Sequence, residues 1–345
     1  MTVLLKQRIL RLIFVGTFLL LACVASVFTV SPAHAATTIL PTDPNIQYVG
    51  RWDISSNTVH TSFWPGAYLE TKFTGTTVAI RLASSANIFT TIDGGADVLH
   101  ANADGTINLT PNRLAAGTHL LRVAAETEGD IVRFQGLVLD TGATTVNPNL
   151  STKLIEFIGD SITAGATDTK RALSDYAWLI GEQLGVRHTQ IAQGGICLVT
   201  GPVCPDGFNN GIGMSTQFFK LQTVAFPNSP NWNFSRYQAS AVVINLGTND
   251  SGRTSAATFQ STYETFLRNI RNVYPSAHIF VLRTFVGAMA APTQAAVQAL
   301  NDSHIQFVNT TGWISRSDTS DGIHPTDAGH MKIANLLRPI IAPFA

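Results

Sequence analysis

The stretch Leu154-Ile-Glu-Phe-Ile-Gly-Asp-Ser-Ile-Thr163 decides the fold of this chain. Its first five residues are mostly apolar, and the run ends abruptly at Gly159. Such a run is typical of a buried parallel strand that stops at its carboxyl end, where the ligands and catalytic groups of open α/β sheets gather. Ser161 follows the break, so its hydroxyl either caps the next helix or acts as a nucleophile. This segment alone leaves both interpretations open.

Strands and helices alternate after Ser151. Apolar strands are predicted at 154–158, 189–192, 241–246 and 278–283, and helices near 170–184, 255–273, 291–303 and 326–336. This alternation predicts an α/β fold with a parallel sheet covered by helices on both faces. Residues 200–235, rich in Gly, Asn, Pro and Phe, fit neither pattern. We interpret them as a long inserted loop, a kind of segment that often carries function.

The chain between Ile46 and Asp140 has a different pattern. Short runs of alternating polarity are separated by turn clusters such as Asp93-Gly-Gly95, which indicates an all-β sandwich. These runs lie at 77–82, 88–92, 119–124 and 131–139. Residues 140–148 are interpreted as a linker. We therefore predict a β-sandwich or jelly-roll domain over residues 36–148 and an α/β domain over residues 149–345.

The first 35 residues have the features of a secretory signal peptide. Three basic residues accompany an apolar stretch from Leu12 to Val30, and Ala33-His-Ala35 supplies a cleavage site. The apolar stretch is also long enough to act as a membrane anchor, and Leu20-Leu-Ala-Cys23 loosely matches a bacterial lipoprotein site. We expect cleavage after Ala35 and a secreted protein; an anchored protein and a lipoprotein are the alternatives.

Charge and cysteine content exclude several classes of function. The 22 basic residues equal the 22 acidic ones, and cleavage removes three basic residues, leaving 19 against 22 and a net charge of −3. Without a basic run or helix face, nucleic-acid binding is not expected. Cys197 and Cys204 are expected to form a disulfide in an oxidising compartment. Their surroundings lack further zinc ligands, so zinc binding is not expected there. We also expect no cofactor, a monomer, and no membrane partner in the mature form.

Two further motifs carry polar residues suited to acyl chemistry. In Asn245-Leu-Gly-Thr-Asn-Asp250, Asn249 follows a predicted strand and should lie at the same sheet edge as Ser161. Its amide can donate to an oxyanion, although an Asx turn or a helix cap is the common role of Asn. In Asp321-Gly-Ile-His324-Pro, the carboxylate can fix the tautomer of His324 and support its imidazolium form. A lone His is more often structural, but together these residues predict nucleophilic catalysis.

The three motifs resemble three of the four blocks of the SGNH, or GDSL-like, hydrolases. The fourth block is a glycine after the second strand, which falls on Gly195 or Gly194 in Ile191-Ala-Gln-Gly-Gly-Ile196. Gly195 is favoured because members of similar layout carry Ala-x-x-Gly there. The resemblance covers about residues 150–345 and implies a three-layer, flavodoxin-like fold that needs no metal.

The same resemblance implies a role for each residue of these blocks. Ser161 would be the nucleophile, and His324 would act first as general base and then as general acid. Asp321 would orient His324. The oxyanion hole would consist of the N–H groups of Ser161 and Gly195 and the side chain of Asn249.

The first half resembles the β-sandwich that precedes the catalytic domain in carbohydrate esterase family two. The residues that carry this resemblance are Tyr48-Val-Gly-Arg-Trp-Asp53, Phe63-Trp-Pro-Gly66, Lys72-Phe-Thr-Gly75 and Gly136-Leu-Val-Leu-Asp140. The match extends into the second half at Thr311-Gly-Trp313, before the Asp-His motif. It implies a secreted esterase that removes acetyl groups from polysaccharides such as xylan and glucomannan. Trp313 and Trp232 are candidate platforms for a sugar ring, with core packing as the alternative.

Three hypotheses of function follow. The first is a secreted esterase that removes acetyl or other short acyl groups from acetylated polysaccharides or oligosaccharides. The second is a broad-specificity acyl esterase or lysophospholipase with the same site. The third is a carbohydrate-binding protein without catalysis. The complete set of Ser161, Gly195, Asn249, Asp321 and His324 argues against it.

Overall fold

A computed structural model describes residues 36–201, 204, 210–226 and 228–345. The predicted signal peptide, residues 1–35, lies outside the described residues. Within the described residues, no helix has the length and apolar character needed to cross a membrane. Residues Ala36–Ala345 cluster into one compact unit, which contains two separate sheets.

The first sheet is antiparallel and barrel-like, and all ten of its strands lie before Asn147. The strands are β1 (Thr37–Ile39), β2 (Gln47–Val49), β3 (Trp52–Asp53), β4 (His60–Ser62), β5 (Tyr68–Gly75), β6 (Val78–Ile92), β7 (Val98–Asn108), β8 (Gly117–Ala125), β9 (Val132–Leu139) and β10 (Thr145–Val146). Their order is β10-β5-β8-β6-β9-β4-β3, with β1 on β9, β2 on β5 and β7 on β6. An all-β first half is therefore confirmed.

Strand β6 joins two runs that the sequence pattern separates. The pattern predicts different strands at residues 77–82 and 88–92, but β6 contains nearly all of both. The register against β7 shifts between Leu82 and Ala86 and again between Ala86 and Ile88. Such bulges bend a strand, so the first part of β6 pairs with β9 and the second part with β8. The alternation is interrupted at the bend, and the sequence therefore looks like two strands.

The second sheet is parallel, as predicted, and within the part of the chain that the structure describes five α-helices accompany it. Its strands are β11 (Leu154–Gly159), β12 (Arg187–Ala192), β13 (Ala241–Asn245), β14 (His278–Leu282) and β15 (Ile305–Val308), in the order β12-β11-β13-β14-β15. The helices are α1 (Tyr176–Leu184), α2 (Met214–Gln217), α3 (Ala256–Val273), α4 (Ala290–Leu300) and α5 (Asp327–Ile341). The sequence pattern missed β15, since only its first and last residues are buried. It also started the first helix too early, because Asp175 caps α1 through the Trp178 N–H.

Alternate residues of β11 face two different cores. Ile155 and Phe157 pack into a cluster that contains residues of α1 and α5. Leu154 and Ile158 join the opposite cluster, which contains residues of α3 and α4 and also residues of the first sheet. The parallel sheet is thus covered on both faces, and the first sheet shares the core on the α3 side.

A buried ion pair joins the two sheets. The Arg51 guanidinium lies 3.3 Å from Glu156 Oε1 on β11, and both side chains have no solvent exposure. Arg51 also donates to the carbonyls of Phe218 and Lys220, in the inserted segment. A buried charge is stable only when it is paired and hydrogen-bonded. This contact therefore stabilises the packing of the first sheet against β11 and against the insertion.

Candidate active site

Three strands of the parallel sheet end at the same level. In the register of the sheet, Gly159 of β11 lies beside Ala192 of β12 and beside Asn245 of β13. The chain leaves β11 for β12 on one side and reaches β13 on the other, so the strand order reverses at β11. Ligands of open α/β sheets bind in the crevice at such a switch point. Ser161, Gly195 and Asn249 each follow one of these strand ends within four residues.

The turn after β11 is shaped by Gly159 and Asp160. A Cβ on Gly159 would lie 2.0 Å from Thr163 Oγ1, so only glycine fits there. The carbonyl of Asp160 accepts the N–H groups of Thr163 and Ala164, each at 3.1 Å. Its carboxylate is buried and accepts the Ile162 N–H at 3.0 Å. Asp160 therefore organises the turn that presents the next residue, Ser161.

Ser161, His324 and Asp321 form a continuous hydrogen-bonded chain. Ser161 Oγ lies 2.8 Å from His324 Nε2, and His324 Nδ1 lies 2.7 Å from Asp321 Oδ2. The other carboxylate oxygen of Asp321 accepts the N–H groups of His324 and Ile323 at 2.8 and 2.9 Å. These bonds, with the His324 N–H as the largest contributor, hold the pKa of Asp321 well below its ordinary value. Asp321 thus stays ionised and faces one nitrogen of the imidazole, while the other nitrogen faces the Ser161 hydroxyl.

The turn after β12 supplies the glycine of the predicted oxyanion hole. Gly195 has a φ of +66°, a left-handed conformation that favours glycine. The N–H of Gly194 donates to Glu128 Oε1 at 3.0 Å, whereas the N–H groups of Gly195 and Ser161 find no acceptor among the described residues. Of the two glycines, Gly195 is therefore the better candidate for an oxyanion donor.

Asn249 and Asp250 hold the segment that begins at Gly195. The Asn249 side-chain N–H₂ donates to the carbonyl of Ile196 at 3.0 Å, which leaves its second N–H for another acceptor. The Asp250 carboxylate accepts the N–H groups of Leu198 and Val199 at 2.8 and 3.0 Å. The segments that follow β12 and β13 are thus bonded to each other.

Sequence reasoning missed Asp250 and Glu128. Asp250 is adjacent to Asn249, and its position shortly after an apolar strand was the signal that the sequence offered. Glu128 lies in a polar turn of the first domain, where nothing in the local sequence indicates contact with Gly194.

The two tryptophans predicted to bind sugar have different positions. Trp232 is only 5% exposed, and its ring packs against Tyr237 and against the guanidinium groups of Arg51 and Arg236. The prediction of a sugar platform at Trp232 is therefore corrected to core packing, because the Arg51 side chain of the first domain covers the ring. Trp313 is half-buried against the cluster on the α5 side, and it stays a candidate.

The predicted disulfide between Cys197 and Cys204 is present. Because Cys197 follows Ile196 directly, the disulfide links the segment that begins at Gly195 to the inserted loop. Among the described residues, no group of three or more His, Cys, Asp or Glu side chains is placed to hold a metal ion.

Burial of Asp160 predicts a dependence of stability on pH. Burial raises the pKa of Asp160 from 3.8 to about 6, so the folded protein binds an extra proton between these two values. The contribution of Asp160 to the free energy of unfolding should therefore fall by up to about 3 kcal/mol as the pH rises from about 4 to about 6. It should stay at this lower value above pH 6. Burial raises the pKa of Asp250 in the same way. In urea denaturation at pH 4.5 to 7, we expect the free energy of unfolding of Asp160→Asn, relative to that of the wild type, to rise with pH. If the free energies of unfolding of the two proteins changed with pH by the same amount, this expectation would be wrong.

The site described above has counterparts in known proteins. Residues 157–332 match the sequence model of the GDSL-like Lipase/Acylhydrolase family, and residues 48–148 match that of the carbohydrate esterase 2 N-terminal domain. Over 358 residues, the chain is 24% identical to an acetylxylan esterase/glucomannan deacetylase from Cellvibrio japonicus. That similarity covers 95% of this chain and 96% of the relative.

Two further relatives are also described as esterases. The chain is 28% identical over 327 residues to the cellulase/esterase CelE of Acetivibrio thermocellus, covering 86% of this chain but only 39% of CelE. Among solved structures, a family two carbohydrate esterase from Clostridium thermocellum in complex with cellohexaose has a TM-score of 0.73 and 25% identity. It covers 86% of this chain and 98% of that structure. Together these matches show that the chain belongs to the GDSL-like lipase/acylhydrolase family of ester hydrolases and carries a carbohydrate esterase 2 N-terminal domain over residues 48–148.

Proposed function

We propose that this chain is a secreted serine esterase that removes acetyl groups from polysaccharides or oligosaccharides. The observation that carries the catalytic part is the hydrogen-bonded chain Ser161–His324–Asp321 at the switch point of the sheet. The oxyanion groups proposed for the site are the N–H of Ser161, the N–H of Gly195 and the side chain of Asn249.

The proposed reaction has two steps that use the same residues. Ser161 Oγ attacks the acetyl carbonyl carbon while its proton passes to His324 Nε2, and the carbonyl oxygen becomes an oxyanion. The C–O bond to the sugar breaks as His324 returns the proton to the departing sugar oxygen, leaving acetyl-Ser161. Water then attacks this ester with His324 as base, and collapse of the second tetrahedral intermediate releases acetate and restores Ser161. No cofactor takes part in the proposed reaction.

The carbohydrate part of the proposal is supported by the relatives. Two of them carry names that include acetylxylan esterase or esterase, and a solved relative holds cellohexaose. The chain also carries the N-terminal domain of carbohydrate esterase 2, which is packed against the catalytic sheet through Arg51 and Glu156.

One observation favours a second candidate, a broad-specificity acyl esterase. Ile323, next to His324, is 42% exposed, and Val286 is 38% exposed. Val286 lies with Phe285 and Ile314 in a shallow pocket that also contains Gly322, which follows Asp321, and the polar residues Ser315, Arg316 and Thr319. These apolar side chains would suit an acyl chain longer than acetyl.

Acetate release from acetylated polysaccharides tests the proposed function. Purified chain lacking residues 1–35 would be incubated with acetylated xylan and acetylated glucomannan, with the Ser161→Ala variant as control. We expect acetate from at least one polymer with the wild type and none above background with the variant. Absence of acetate from both polymers, with turnover of simple esters retained, would contradict the carbohydrate proposal.

Loss of Asp321 is expected to lower the rate without abolishing it. Asp321→Ala removes the acceptor at His324 Nδ1 and the bonds to two backbone N–H groups, so the imidazole loses its orientation. Because Asp321 is half-exposed, water can replace part of this support, and we expect kcat to fall about 10²- to 10⁴-fold. Steady-state kinetics on p-nitrophenyl acetate would measure it. A loss below threefold would mean that Ser161 and His324 suffice as a dyad.

A further inference from the structure

A loop of the first domain reaches the turn that carries the candidate oxyanion glycine. Glu128 lies between β8 and β9, and its Oε1 accepts a hydrogen bond from the Gly194 N–H at 3.0 Å. Gly194 immediately precedes Gly195, so this bond restrains the peptide next to the one that would face the oxyanion. We propose that Glu128 is a positioning residue of the oxyanion hole, supplied by the β-sheet domain. This inference rests on the proposed function.

The turn that Glu128 contacts is closed by a hydrogen bond from the Ile196 N–H to the Gln193 carbonyl at 3.3 Å, and it contains two glycines. Gly194 and Gly195 are consecutive glycines, which have more conformational freedom than any other residue pair. Gly195 adopts a φ of +66°, and its N–H direction depends on the backbone angles at Gly194. A hydrogen bond from a backbone N–H to a carboxylate is stronger than a neutral one. The bond to Glu128 is therefore suited to keep this flexible pair in a single conformation.

The loop that presents Glu128 is itself well held. Asp130 accepts the N–H and the hydroxyl of Thr127 at 3.0 and 2.6 Å, and it accepts the N–H of Asn87 on β6 at 2.7 Å. These bonds close the loop around Glu128 and attach it to the first sheet. The carboxylate of Glu128 thus reaches Gly194 from a short, restrained loop.

The same loop contacts the segment that follows Ser161. The carbonyl of Glu126 accepts the N–H of Ala172 at 3.3 Å, while Glu128 bonds Gly194 in the turn after β12. One loop of the first domain therefore bonds the segments that follow both β11 and β12. Through these bonds the loop would couple the first domain to the positions of both segments.

Variants of Glu128 test this role when compared with a matched control in the same loop. Glu128→Ala removes the acceptor, Glu128→Asp keeps the charge but shortens the side chain, and Glu128→Gln keeps an acceptor oxygen without the charge. The control is Glu126→Ala: the Glu126 carboxylate accepts from the Asn87 side chain at 2.8 Å, within the first domain. The measurements are kcat and KM on p-nitrophenyl acetate, the thermal unfolding midpoint, and the inhibition constant of methylboronic acid, which forms a tetrahedral adduct on an active serine.

We expect kcat of Glu128→Ala and of Glu128→Asp to fall about 10- to 100-fold with KM within about twofold. The boronate inhibition constant should rise with the loss of kcat, because the adduct uses the same oxyanion donors. Glu128→Gln should recover most of kcat, and Glu126→Ala should keep kcat even if its unfolding midpoint falls.

Several results would overturn the inference. An unchanged kcat in both Glu128→Asp and Glu128→Ala would show that the bond to Gly194 is dispensable, and an increase would show that the carboxylate competes with the oxyanion. If Glu128→Ala fails to fold, the kcat of Glu128→Asp alone tests the inference. Failure of the proposed function is seen separately, as absence of acetate release from both polymers by the wild type or as activity retained by Ser161→Ala, whatever the Glu128 variants do.

Discussion

Replacement of Ser161 by alanine is expected to lower kcat for ester hydrolysis by about 10⁴-fold or more. The Ser161 hydroxyl is the group that faces His324 Nε2, at 2.8 Å, and alanine leaves no atom to form the acyl intermediate. The remaining oxyanion groups would still bind the ester, so KM should change much less than kcat. Kinetics on p-nitrophenyl acetate would measure both constants.

A nearby serine provides the matched control. The Ser320 N–H and hydroxyl both bond the His324 carbonyl rather than its imidazole, so Ser320→Ala tests the support of the loop without removing the nucleophile. We expect Ser320→Ala to keep most of the activity. A fluorophosphonate should label the wild type and Ser320→Ala but not Ser161→Ala, as read by intact mass. Activity of Ser161→Ala within tenfold of the wild type would refute the nucleophile assignment.

Replacement of Arg51 by methionine is expected to lower the free energy of unfolding by about 3–5 kcal/mol, since it leaves Glu156 buried without its cation. Two backbone carbonyls of the insertion, those of Phe218 and Lys220, also lose a donor. The hydroxyls of Tyr237 and Tyr274, at 2.5 and 3.1 Å from Glu156, would remain as its partners. Urea denaturation, followed by fluorescence and circular dichroism together, would measure the loss.

Two comparisons separate the ion pair from simple packing. Arg236 also stacks on Trp232 but donates to the Trp52 carbonyl rather than to a buried carboxylate, so Arg236→Met should cost only about 1 kcal/mol. Adding Glu156→Gln to Arg51→Met should restore part of the loss, because the unpaired charge disappears. A cost below about 1 kcal/mol for Arg51→Met would contradict the role of this pair in joining the two sheets.

The parts of the molecule that could be predicted from the sequence are those that local patterns determine. An apolar run ended by glycine predicts both a parallel strand and its carboxyl end, and this pattern alone puts Ser161 and Asn249 at one sheet edge. The spacing of Asp321 and His324 similarly indicates their contact. The alternation of strands and helices predicts the layers, while β15, with four residues, is too short for the same reasoning.

What could not be predicted depends on contacts between distant parts of the chain. Trp232 lies in an insertion without a periodic pattern, and its burial depends on Arg51, which the first domain supplies. Glu128 lies in a polar turn that resembles any surface loop, and only the folded chain places it beside Gly194. The roles of Ser161, His324, Asp321, Gly195 and Asn249 stay predictions, now with a geometry that supports them.

The acyl-length profile tests the central claim most directly. The ratio of kcat/KM for p-nitrophenyl acetate to that for the octanoate would be measured with the chain lacking residues 1–35. The proposed carbohydrate O-acetyl esterase predicts that acetate is the preferred acyl group and that kcat/KM falls steadily from two to eight carbons. A preference for chains of eight or more carbons would contradict it and would favour the broad acyl esterase, with the exposed Val286 and Ile323 as candidate contacts for the acyl chain.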